Sequence, residues 1–221
     1  MKKAFTLAEI LITLGIIGIV SAMTLPTLQA NITNKQFRTK FLKNYSQIQQ
    51  VMKKMEADDI PLTATGNKNE PFYKNFRKYL SNTVDCGNNS TLTSECFHLS
   101  KDKYYNLSGN TTIPMYYFDD GQIALADGTI LLFENPFVWD NPPIWIFIDL
   151  NGKKQPNKLG WDLFCFQMTD DGLKAMGLAG TTFPEEQYCI KGNGNNMNGM
   201  GCASKLLREP RYFDWLRNSV N

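Results

Sequence analysis

KKAFTLAEILITLGIIGIVSAMTLPTL, Lys2 to Leu28, is the stretch on which the fold turns. It opens with two lysines, carries a single acid, Glu9, and then runs without a charge from Ile10 to Leu28. At 1.5 Å per residue a helix from Phe5 to Leu28 is roughly 36 Å long, enough to cross a hydrocarbon core of about 30 Å. Three readings are open. A secreted signal peptide fits the basic start, with Ser21-Ala22-Met23 as a poor cleavage exit. A plain membrane anchor fits the length but leaves Glu9 unexplained, because a carboxylate in lipid costs about 2.5–3.5 kcal/mol on insertion scales. A cut between Ala4 and Phe5 uses every residue: the new α-ammonium of Phe5 lies one helical turn from Glu9 and neutralises it, on its own chain or on a neighbour's.

The run from Lys2 to Val20, with Ala4-Phe5-Thr6-Leu7-Ala8-Glu9 at its head, resembles the signature of type IV pilins and type II secretion pseudopilins. The resemblance covers only the start of the chain. It implies a short basic leader, residues 1–4, removed after Ala4 by a prepilin peptidase, and N-methylation of the new terminal residue, Phe5. It implies that Glu9 sets the register of one subunit against the next during assembly. Ala4 departs from the glycine usual before the cut but keeps a small side chain there. Pro26 matches a proline usual in major pilins, and it should kink or loosen the helix by removing a backbone hydrogen bond. The partners implied are other pilin or pseudopilin subunits, the prepilin peptidase/methyltransferase, an inner-membrane assembly platform and membrane lipid. The place implied is the bacterial inner membrane with an extracytoplasmic head, then a pilus or pseudopilus in the periplasm or at the cell surface.

Beyond the apolar stretch the helix changes character. Phe37, Phe41, Tyr45, Ile48, Met52 and Met55 recur in steps of four and three and draw one stripe, with Lys35, Arg38, Lys40, Lys43, Lys53 and Lys54 on the other faces. The expected organisation is a leader (1–4), a transmembrane or filament-core helix (5–28), its amphipathic continuation (29–57), and a globular α+β head (58–221). The fold class expected is α+β, a long N-terminal helix packed on an antiparallel β-sheet head, pilin-like. Basic residues just beyond the apolar stretch would by themselves favour a cytoplasmic head, but long domains translocate largely regardless of charge. The family resemblance and the cysteines favour the oxidising side.

In the head, residues 69–84 read as a short amphipathic helix, with Phe72, Phe76 and Tyr79–Leu80 on one face. Ile113–Phe118, Gln122–Ala126 and Thr129–Glu134 read as short strands, separated by Asp119-Asp120-Gly121 and Asp127-Gly128 turns. Ile144–Leu150 and Asp162–Met168 read as further strands, and Glu209–Leu216 as a short helix or strand. Tight turns between successive strands imply antiparallel pairing. KGNGNNMNGMG, Lys191 to Gly201, reads as a floppy loop bracketed by Cys189 and Cys202. By proximity, Cys189 pairs with Cys202 and Cys86 with Cys96, leaving Cys165 as a buried thiol; other pairings, or five reduced thiols, stay open. Asp149, Asn151 and Asp162 could direct oxygen ligands at a Ca²⁺ ion, in a segment similar in style to the calcium loop of major pseudopilins. Against that stands the plainer reading of Asn151-Gly152 and Pro156-Asn157 as turns. Otherwise no cofactor is required.

Composition narrows the functions. With 23 basic and 21 acidic residues and 43% hydrophobic content, the chain is neither a globally basic nucleic-acid binder nor disordered. His98 is the only histidine and there is no C-x-x-C pair, which argues against zinc and against Ser-His or Cys-His catalysis. Asp119-Asp120, Asp127 and Asp170-Asp171 sit at evident turns, where aspartate is common for conformational reasons. The expectation is therefore a non-enzymatic filament subunit. The alternative is a membrane-anchored extracytoplasmic binding module that does not polymerise, with aromatics from Trp139 to Trp145 lining a ligand site.

Overall fold

A computed structural model describes residues 6–63, 70–87, 96–98, 101–135 and 143–218. By internal contacts the chain divides into two compact units, Met1–Thr39 and Lys40–Asn221. One helix, α1 (Leu7–Ala57), contributes to both. In the first unit the apolar side chains of α1 are exposed, among them Leu11, Ile16, Ile17 and Leu25. The stretch Leu7–Leu25 is long and apolar enough to cross a membrane, with a mean hydropathy of 2.1 over its best window.

The second unit is α+β. Its elements after α1 are α2 (Phe72–Arg77), β1 (Thr83–Gly87), a 3-10 helix (Met115–Phe118), β2 (Gln122–Leu125), β3 (Ile130–Glu134), β4 (Trp145–Asp149), β5 (Leu163–Thr169), β6 (Gly172–Ala175), α3 (Glu185–Tyr188), α4 (Cys202–Arg208) and α5 (Tyr212–Arg217). The six strands pair in sequence order, β1-β2-β3-β4-β5-β6, and every pairing is antiparallel. Short turns dictate this outcome at β2–β3 and β5–β6, while the other pairs are joined by longer connections. At Asp127-Gly128 the Gly128 amide donates to the Leu125 carbonyl (3.0 Å) and the Leu125 amide to the Thr129 carbonyl (2.8 Å). Gly152, in the β4–β5 turn, has φ 65°, and a Cβ there would stand 2.8 Å from the Gly128 carbonyl oxygen, so the two turns abut only because Gly152 carries no side chain.

Side chains alternate across a sheet, and here both faces are covered. On one face Phe41 of α1 meets Phe164 and Phe166 with ring centroids 5.2 and 5.4 Å apart, and Tyr45 stacks on Phe166 at 5.0 Å. Of the expected stripe Phe41, Ile48, Met52 and Met55 are buried and Tyr45 half-buried, and Val51 is buried with them. Lys40 Nζ donates to the carbonyls of Asp127 and Leu150, both at 2.9 Å, and so ties the helix to two turns of the sheet. Phe72, Tyr73 and Phe76 of α2 surround Phe133. The opposite face buries Ala124, Ile130, Leu132, Trp145, Phe147 and Cys165 beneath Phe97, Tyr104 and Phe118. Burying a side chain of phenylalanine size contributes about 1.5–3 kcal/mol, so these two layers carry most of the unit's stability.

Several sequence expectations are corrected. Ile113–Phe118 is not a strand: Pro114 lacks an amide donor and starts the 3-10 helix Met115–Phe118, with Phe118 buried and Tyr116 facing solvent. The helix expected over 69–84 is confined to Phe72–Arg77, and its last residues instead begin β1, an edge strand. The run Gly172–Ala175, not anticipated, forms the other edge. The short element expected over Glu209–Leu216 is the helix α5, and α4 just before it was not anticipated. The Gly/Asn segment 191–201 is a loop, as expected, and side-chain hydrogen bonds hold it in addition to the flanking Cys189–Cys202 bond. Asn198 is fully buried, its Nδ2 donates to the carbonyls of Ile190 (2.7 Å) and Asn193 (2.8 Å), and its Oδ1 accepts from the Ile190 amide (3.1 Å). Met197 and Met200 are buried with it.

Candidate functional site

At the N-terminus the expected assembly residue has a local partner. Thr6 lies just before α1, and its amide and hydroxyl both donate to Glu9 Oε2 at 2.8 Å, while the Glu9 amide donates to Thr6 Oγ1 at 3.2 Å. This is a capping box, which satisfies two amides that the first turn of a helix would otherwise leave unpaired. The Thr6-x-x-Glu9 spacing carries that signal in the sequence. Ala4 and Phe5, the expected cleavage and methylation positions, lie outside the described residues, as do most of the aromatics and prolines between Trp139 and Pro143. Pro26 falls within α1, which continues through it to Ala57.

In the head, Cys86 is bonded to Cys96 and Cys189 to Cys202, with Cα separations of 5.6 and 5.0 Å. Cys165 is free and fully buried on β5. Burial, and then the charge of Glu134, push its thiol far above the ordinary range, so it is an inert core group.

Asp149 and Asp162 come together at the β4–β5 end of the sheet, and both are fully buried. Their oxygens are already engaged by protein donors. Asp149 accepts from the Tyr104 hydroxyl (2.7 Å) and the Asn151 amide (3.1 Å). Asp162 accepts from the amides of Asn157 (2.8 Å) and Lys158 (2.7 Å). Asn151 Nδ2 donates to the Gln155 carbonyl at 3.1 Å. Burial raises both carboxyls above their usual range, and for Asp149 the neighbouring Asp162 adds to it. In this segment protein donors reach both acids, while Asn151 Oδ1 is buried and without a hydrogen-bond partner among the described residues.

A second acidic group was not anticipated as a unit. Asp119 and Asp120 follow the 3-10 helix, and Glu134 ends β3. Their pairing is tertiary: the Asp120 amide donates to the Phe133 carbonyl (3.3 Å) and the Phe133 amide to the Gly121 carbonyl (2.9 Å), which sets Asp120 opposite Glu134. One carboxylate oxygen from each of the three lies within 4.8 Å of the others. Asp119 is exposed, Asp120 half-buried, and Glu134 only 6% exposed. Burial, then Asp120 and Asp119, push Glu134 up to about 8. Burial also raises Asp119 and Asp120. Asp120 Oδ2 accepts from the Asn135 amide at 2.7 Å.

Searches against protein-family models, curated proteins and solved structures found no match for this chain.

Proposed function

We propose that this chain is the structural subunit of a filament of type IV pilus or type II secretion pseudopilus kind, made as a prepilin and not an enzyme. In this reading it is inserted in the bacterial inner membrane, cleaved after Ala4, N-methylated at Phe5, and assembled through the apolar half of α1. The observation that carries it is the contrast at the N-terminus: Leu7–Leu25 is apolar on every side and exposed, next to the leader-like Lys2-Lys3-Ala4. Such a helix is at rest only in lipid or among other apolar helices. Two disulfides in the head support an oxidising, extracytoplasmic location for it. The partners of this reading are further subunits of the same kind, the prepilin peptidase/methyltransferase and a membrane assembly platform.

One observation favours a second reading, an anchored head that binds a ligand and never polymerises. The capping box from Thr6 gives Glu9 a partner within its own chain, so the acid does not depend on a neighbouring subunit. Intact mass and N-terminal sequencing of the protein extracted from its native membrane separates the two. A mature chain beginning with N-methyl-Phe5 is expected. A chain still beginning at Met1 and monomeric in mild detergent would leave the anchored head standing, and a cut near Ala22 would remove both.

A further inference from the structure

We propose that Asp119, Asp120 and Glu134 form a Ca²⁺ site, with Asn135 Oδ1 as a neutral fourth oxygen. The first observation is convergence: three carboxylate oxygens from the 3-10 helix exit and the end of β3 lie within 4.8 Å of one another. The second is an orphan. Glu134 is 6% exposed, it belongs to the three, and among the described residues its Oε2 has no hydrogen-bond partner. Buried polar atoms are nearly always paired, and an unpaired oxygen on a buried carboxylate that converges with two further acids is the arrangement most in need of a cation.

The surroundings agree. Asn135 Oδ1 is buried and likewise without a partner. Gln122 is fully buried on the same sheet face as Glu134, because it pairs with Leu132, two residues before Glu134, and both of its amide atoms lack partners. Among the described residues no lysine or arginine forms an ion pair with Asp119, Asp120 or Glu134. The Asp149–Asp162 pair differs on this point, since protein donors reach each of its carboxylates.

The donor set selects the ion. All candidate ligands are oxygens, which suits a hard cation and not zinc or copper. Ca²⁺ binds oxygen at about 2.3–2.6 Å, so ligands facing each other across it stand roughly 4.6–5.2 Å apart. A cluster spanning up to 4.8 Å fits that shell. Exposed Asp119 leaves the outer side open to water, which completes the coordination. This site is independent of the filament reading and would serve an anchored head equally.

The test is calorimetric titration of CaCl₂ into the full-length, EDTA-stripped chain in detergent micelles, with far-UV circular dichroism as the check on folding. One saturable site is expected, with a Kd of order 0.1–1 mM as in extracellular calcium modules. Glu134→Gln and Asp119→Asn should each weaken it roughly tenfold or more, while Asp149→Asn leaves it in place. Asp119 is exposed, so its variant decides the matter if Glu134→Gln does not fold. Absence of saturable binding up to about 10 mM, well above that range, overturns the proposal. So does wild-type affinity in folded Asp119→Asn, or a loss confined to a folded Asp149→Asn chain.

Discussion

Leu7–Leu25 and Lys40–Ala57 are stretches of one helix whose apolar side chains meet opposite fates. In the first stretch Leu11 is 62% and Ile16 57% exposed; in the second Phe41 and Met55 are fully buried. Backbone hydrogen bonding is the same in both and does not account for the difference. Distribution does. The first stretch is apolar all round, so no single sheet face could cover it. The second gathers all its large apolar residues but Leu42 on one stripe, which one face of a sheet accommodates, and turns Lys43, Lys53 and Lys54 away from it. The boundary between the two compact units accordingly falls inside the helix, after Thr39, and not at its end.

The largest effect that would test this contrast is a pair of truncations. Phe41→Ala removes the ring set against Phe164 and Phe166 and should destabilise the head by about 3–5 kcal/mol. Ile16→Ala should leave head unfolding within about 0.5 kcal/mol of wild type. Urea titrations in micelles, followed by tryptophan fluorescence, measure both, and equal losses would mean that the two stretches share one core. Next in size is the Cys189–Cys202 bond, which closes a segment with a sequence separation of 13. Replacing both cysteines with serine should cost about 3 kcal/mol on the chain-entropy account. A much smaller loss would show that Asn198 and the buried methionines already hold the segment.

The smallest effect concerns how the second stretch is oriented on the sheet. Lys43 Nζ lies 2.7 Å from Asp127 Oδ2, with the lysine side chain 58% exposed. Lys43→Ala should cost under about 1 kcal/mol. Burial pushes the Asp127 carboxyl up, but hydrogen bonds from Lys43 and Thr129 and the Lys43 charge outweigh it, and the net displacement is downward. A carboxyl with a lowered folded pKa contributes stability above its unfolded pKa and loses it as pH falls through the folded one. The difference between wild type and Lys43→Ala should therefore be present at neutral pH and fade as the solution is acidified below the ordinary aspartate range. Paired thermal melts across that interval measure it, and a constant difference would assign the effect to helix propensity instead.

Much of the architecture was legible because it rests on local patterns. The apolar stretch, the stripe from Phe41 to Met55, and the strands around Asp127-Gly128 each announce themselves within about twenty residues. The edge strands did not. Thr83–Gly87 and Gly172–Ala175 are short and only partly buried, and their strand state comes from neighbours that offer them a ladder. Met115–Phe118 looked like a strand by its aromatics, and Pro114 decided otherwise. The acidic trio was invisible for a related reason: Asp120 and Glu134 become neighbours only through the register of β2 on β3. The capping box is legible in the sequence as Thr6-x-x-Glu9.

The strictly sequential sheet also has a consequence in time. Each strand finds its partner in the segment made just before it, so pairing can keep pace with the emerging chain. The amphipathic half of α1 has no such neighbour. The Tyr45 hydroxyl reaches the Leu173 carbonyl across a separation of 128 residues, and Phe41 depends on rings in β5. This helix is therefore made first and covered late. Until β5 arrives its apolar stripe stands open, and that interval is when the nascent chain is most exposed to aggregation and most in need of a protective surface.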